Sequence, residues 1–159
     1  MNEITQLRKE DIAEIGGVWT IHITPAAGNI KTDKARLVPI HAHLISQGFI
    51  DAVEASGNGP LFYDPGLERT GMARGQYKRV GMKLAAWVRT IGVTDVALQP
   101  NHAWRHTFKT ICREADIAEG AADYMQGHAP QGQSRHYGSN TMPALVREFA
   151  KFPAFKVAA

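Results

Sequence analysis

The side chains best equipped for chemistry lie in the last third of the chain: His102-Ala103-Trp104-Arg105-His106-Thr107-Phe108, then Gly127-His128, then Tyr137. Arg105 follows His102 by 3 positions, His128 follows Arg105 by 23, and Tyr137 follows His128 by 9. A tyrosine hydroxyl ionises near pH 10, so at neutral pH it is a weak nucleophile that needs help with its proton. A guanidinium offers forked donors that match phosphate oxygens and strengthen as negative charge develops on them. Imidazoles hydrogen-bond phosphate or move a proton near neutral pH. Together these residue types suit attack on a DNA phosphodiester without a metal.

Each residue also has a blander reading. An isolated tyrosine is more often a core residue, but the flanks of Tyr137, Arg135-His136 and Gly138-Ser139-Asn140, are polar. Arginines mostly form surface ion pairs. Arg105 stands one helical step from His102, so the two share a face. His128 directly after Gly127 also fits a helix C-terminal cap. His106 lies four residues after His102, a spacing used by zinc sites. Position 103 is alanine, however, where an H-E-x-x-H helix needs glutamate. His106 therefore reads as a packing or supporting residue, and neither a metal nor a cofactor is expected.

The elements that must carry these residues can be read from pattern. Ile4, Leu7 and Ile12 suggest a short helix running into a turn. Residues 18–24 are β-branched and aromatic and predict a strand, broken by Pro25 to Asn29. Residues 36–40 predict a second strand, with Pro39 arguing for an edge or a strand end. Residues 41–47 predict a helix stopped by Gly48, 56–60 a loop, and 64–75 a surface loop. From 76 to 91, Val80, Leu84, Trp87 and Ile91 recur at helical steps, with Arg74, Lys78, Arg79, Lys83 and Arg89 along or beside them. Trp104, Phe108, Ile111, Cys112 and Ala115 mark one face of a helix over 102–115. Another helix covers 118–126, closed by Gly127, and a short one leads to Tyr137. The last, 142–152, is amphipathic through Leu145, Val146, Phe149 and Phe152. It suits packing on its own domain or on a neighbouring protomer equally well. A small antiparallel sheet followed by helices is an α+β fold dominated by α-helix.

The 159 residues fit one domain with a substantial core. Eighteen Lys and Arg against fifteen Asp and Glu give a net charge of +3, which permits a nucleic-acid partner without requiring one. Cys112 is the sole cysteine, which excludes an intrachain disulfide and a cysteine-rich zinc site and suits the cytoplasm. No apolar run approaches membrane-spanning length.

The ordered set His102-x-x-Arg105-His106-Thr107-Phe108, Gly127-His128 and Tyr137 resembles the C-terminal catalytic domain of the tyrosine recombinase (phage integrase) family. Upstream, Ile30-Lys31-Thr32-x-x-Ala35-Arg36-x-Val38-Pro39-Ile40 resembles the family's Lys-Thr turn and Arg-x-Val-Pro strand. The likeness extends over nearly the whole chain. It implies the family's fold and site-specific DNA recombination or integration. Tyr137 would attack a scissile phosphate to leave a 3′-phosphotyrosyl link and a free 5′-hydroxyl. Arg105 would hold the non-bridging oxygens, and His102 and His128 would assist. Lys31 would protonate the leaving oxygen, with Lys34 as its nearby competitor. Glu3 and His106 would support this set from behind. Arg36, Lys34, Arg135 and Lys78 would contact DNA. The implied partners are double-stranded DNA and further copies of the chain, monomeric alone and tetrameric on DNA, in the cytoplasm and at the nucleoid.

The family's first catalytic arginine stands three residues before the glutamate that corresponds to Glu3, which places it one residue ahead of Met1. The whole chain, 1–159, thus reads as a catalytic domain without that arginine and without the N-terminal core-binding domain: a fragment, an internal-start product or a prophage remnant. Low activity and weak, salt-sensitive DNA binding are expected. The alternative is a catalytically impaired DNA-binding or oligomerising remnant of the same fold. An unrelated helical enzyme would place Lys31, His102, Arg105, His128 and Tyr137 on different faces.

Overall fold

A glycine pair sets the first structural event. Gly16 and Gly17 both have positive φ, 59° and 78°. This is the backbone that closes a two-residue hairpin without splaying its strands. The turn joins β1 (Ile12–Ile15) to β2 (Val18–Ile23), with Ile15 opposite Val18 and Ile12 opposite Ile21. β2 then pairs antiparallel with β3 (Arg36–Pro39), Thr20 facing Pro39 and Ile23 facing Arg36. The order β1-β2-β3 leaves Pro39 on an edge strand, where its missing N–H costs no ladder bond. The computed structural model describes residues 2–28, 30, 34–67, 75–128 and 140–155.

Helices surround this sheet. The chain begins with α1 (Asn2–Thr5), then a 3₁₀ turn, Lys9–Asp11. Asp11 anchors that turn: its carboxylate accepts from the Arg8 backbone N–H at 2.9 Å and from Arg8 Nε and Nη2 at 3.0 and 2.5 Å. The same bonds hold the Arg8 guanidinium pKa above its ordinary value. After β3 come α2 (Ala42–Ser46) and α3 (Phe49–Ala55), separated by Gly48 in the left-handed region. Among the described residues, further α-helices are α4 (Gln76–Thr90), α5 (Pro100–Glu114), α6 (Glu119–Gln126) and α7 (Met142–Phe149). Mostly helix, with a small antiparallel sheet near the N-terminus, is the expected α+β class. Among the described residues no helix is long and apolar enough to cross a membrane.

Two apolar clusters hold the elements in place. Ile12, Ile40, Ile50 and Val53 join the sheet to α3. Cys112, Ile117, Ala121, Ala122, Met125, Leu145 and Phe152 join α5, α6 and α7, and Phe108 stacks on Phe152 at 5.2 Å. Leu145 is almost wholly buried, so α7 packs on its own domain. Glu148 fastens it further by accepting the Ala118 backbone N–H at 2.8 Å. That bond, with the Lys151 ammonium beside it, holds the Glu148 carboxyl below its usual range.

Three elements depart from the sequence reading. β1 has no strand expectation, only a turn near Ile12; three of its four residues are exposed. α3 had no expectation at all. On α4 the helical period is right but its apolar stripe is not buried. Gln76, Gly81 and Val88 face inward, while Trp87 and Ile91 are 54% and 57% exposed and Leu84 is also exposed. Gly81 faces inward because α5 approaches closely there, and Asn101 Nδ2 donates to the Gly81 carbonyl at 2.9 Å. Periodicity says which residues share a face; contact with a neighbour decides whether that face is covered.

Candidate phosphate site around Arg105

α6 ends where it does because Gly127 adopts φ +68°, the left-handed conformation that favours glycine. The Gly127 N–H bonds to the Tyr124 carbonyl at 3.0 Å, and the His128 N–H reaches back to the Asp123 carbonyl at 2.8 Å. This paired closure fixes the direction in which His128 leaves the helix. A second constraint falls on the same glycine. A Cβ there would lie 2.6 Å from Nη1 and 2.7 Å from Cζ of Arg36. The Gly-His pair is therefore set both by backbone shape and by an arginine packed beneath it.

Arg36 reaches that position from β3. Its Nη2 lies 2.8 Å and its Nη1 3.3 Å from the two Glu3 carboxylate oxygens, and its Nε donates to the Met125 carbonyl at 3.4 Å. Its expected role as a DNA contact is corrected in placement: Arg36 is only 7% exposed. A buried guanidinium requires a carboxylate partner, and Glu3 supplies it. Glu3 also turns toward Arg105, with Oε2 3.3 Å from Arg105 Nη2. Arg105 Nη1 donates to the Gln126 carbonyl at 2.6 Å and lies 3.4 Å from His128 Nε2. Gln126 Nε2 returns a bond to the Arg105 carbonyl at 2.9 Å. The structure thus brings Glu3, Arg105 and His128 together from α1, α5 and the end of α6, with Arg36 behind them. A concavity of about 250 Å³ opens beside this set, lined by Glu3, Arg36, Asn101, Trp104, Arg105 and Gln126 among others.

Two residues that sequence reading passed over complete the cluster. Asp123 Oδ1 accepts from Lys109 Nζ at 2.6 Å and lies 3.2 Å from His128 Nδ1. Burial pushes the Asp123 carboxyl up, but hydrogen bonds and charge from Lys109 and His128 outweigh it, leaving the pKa below its ordinary value. Its stabilising contribution is therefore complete above the ordinary carboxylate pKa and is lost as the pH falls below it. Lys109 stands four residues after Arg105 on the same helical face, which was the available signal for it. Arg36, Arg105 and Lys109 face the carboxylates of Glu3, Asp123 and Glu119, so the charged side chains of the cluster balance.

The other expected site residues fall as follows. His102 and His106 are exposed on α5, and their rings meet edge to face with centroids 4.6 Å apart. His102 shares the helix of Arg105. Lys34 is exposed two residues before β3, and Lys78 is half-buried beside the Tyr77 ring, its Nζ 5.8 Å from the centroid. Lys31, Arg135 and Tyr137 lie outside the described residues. Among the described residues no group of three or more His, Cys, Asp or Glu could hold a metal ion. No protein-family model, curated protein or solved structure matches the chain.

Proposed function

We propose that this chain is a tyrosine-recombinase-type catalytic domain that cleaves and rejoins DNA strands through a 3′-phosphotyrosyl intermediate. The convergence of Arg105 with His128 and Glu3 carries the reading. Residues 3, 105 and 128 are far apart in sequence, yet they meet around one guanidinium. In this reading Arg105 holds the non-bridging phosphate oxygens and His128 lies beside them. Glu3 aims the arginine, Tyr137 attacks and Lys31 protonates the leaving oxygen. His102 adds a donor from the same helix. The basic surface of α4, with Arg79 and Lys83 exposed and no acidic residue within the helix, lies along the DNA backbone, where cations supply most of the affinity. Double-stranded DNA is the partner, the working form on it is a tetramer, and the setting is the nucleoid.

A second reading, a DNA-binding remnant with impaired catalysis, is favoured by one observation. The Arg105 side chain is only 26% exposed, and protein acceptors already engage its Nη atoms. One assay separates the two. On a nicked duplex that traps the covalent product, Arg105→Ala should lower the cleavage rate by about 10²–10³, the cost of one preorganised oxyanion donor. Equal rates for wild type and variant would remove Arg105 from the chemistry. No trapped product from either, with DNA still bound, would favour the remnant.

A further inference from the structure

We infer that Asp123 is a positioning residue that fixes His128 as the neutral tautomer protonated on Nδ1, with the Nε2 lone pair turned toward Arg105 as a hydrogen-bond acceptor. The inference rests on the reading of this cluster as a phosphoryl-transfer site, and it adds which ring nitrogen His128 presents to that site.

The two neighbours of the imidazole determine the tautomer. Asp123 Oδ1 lies 3.2 Å from Nδ1, and an ionised carboxylate can only accept. Arg105 Nη1 lies 3.4 Å from Nε2, and a guanidinium can only donate. The proton must then sit on Nδ1 and the lone pair on Nε2. Both neighbours select the same form, and the bond from the His128 N–H to the Asp123 carbonyl keeps the ring beside its carboxylate. One aspartate thus holds the histidine by its main chain and by its ring.

The surrounding charges keep that arrangement in place. Lys109 holds the shared Asp123 oxygen at 2.6 Å, keeping the carboxylate ionised and oriented, and Glu119 lies 3.5 Å from the same ammonium. Arg105 faces Nε2 from α5 and is itself tied to Glu3 on α1, with Arg36 of β3 behind. The Asp123 carboxylate thus sets which ring nitrogen faces Arg105 and the phosphate site. An orienting aspartate of this type governs which nitrogen is available for chemistry.

The test is nitrogen-resolved NMR of the His128 ring in the full chain, beside the trapping assay. Wild type should show the Nδ1–H tautomer. Asp123→Ala should lose it, and cleavage should fall by about 10-fold to 100-fold, as expected for loss of an orienting partner behind a histidine. Asp123→Asn, whose side-chain oxygen can still accept from Nδ1–H, should retain the tautomer and separates loss of the acceptor from a fold defect in Asp123→Ala. An Nε2–H ring in wild type overturns the assignment, as does a tautomer unchanged in Asp123→Ala. A tautomer lost with no change in cleavage overturns the positioning role. No cleavage by wild type that shows the Nδ1–H ring would count against the recombinase reading while the tautomer assignment stands.

Discussion

Gly127→Ala is expected to destabilise the domain by about 3 kcal/mol or more. A left-handed backbone costs an alanine about 1–2 kcal/mol. Forcing an extra methyl into a packed site typically adds about 1–3 kcal/mol. The second contribution is unavoidable here, because the new Cβ would sit within 3 Å of the Arg36 guanidinium. Arg36 has no room to retreat, being buried and held by Glu3 and the Met125 carbonyl. The urea midpoint should fall with little change in slope. A shift equivalent to less than about 0.5 kcal/mol, the range of an ordinary surface change, would mean that Gly127 is not packed over Arg36.

Glu3→Ala should cost about 3–5 kcal/mol, since removing one partner of a buried pair leaves an uncompensated charge. The Arg36 side chain is 6% exposed and that of Glu3 9%, so solvent cannot substitute. Glu3→Gln should cost less, because one carbonyl acceptor remains. Replacing Glu3 and Arg36 together with methionine should recover much of the loss, because apolar replacement of a buried pair is often close to neutral. If Glu3→Ala and the double variant were equally unstable, the loss would come from packing alone. The single variant should also loosen Arg105, which shares the Glu3 carboxylate. Cleavage should then fall even at temperatures where the variant remains folded.

The sequence made some of this legible and some not, for physical reasons. α5, α6 and α7 carry strong apolar periods and clear stops, and the structure has them nearly where they were expected. β1 lacked that signal because it is an edge strand exposed at three positions; the Gly16-Gly17 pair was the clue that marked its hairpin. α3 is seven residues long, too short for a period to stand out. Within the site, the meeting of Arg105 with His128 and Glu3 followed the motif order. The burial of Arg36 did not, because the fate of a strand arginine depends on a carboxylate 33 residues away. Asp123 and Lys109 had no motif to mark them, and only the closure of α6 against α5 brings them to His128.

The central proposal is strand cleavage by Tyr137, and the most direct measurement is peptide mapping of the covalent product. The chain would be incubated with a nicked duplex in excess chelator, digested and analysed by mass spectrometry, beside Tyr137→Phe. A 3′-phosphonucleotide on Tyr137, absent from Tyr137→Phe and formed despite the chelator, is the expected result. An adduct that persists in Tyr137→Phe, or one that maps to a different residue, would contradict it.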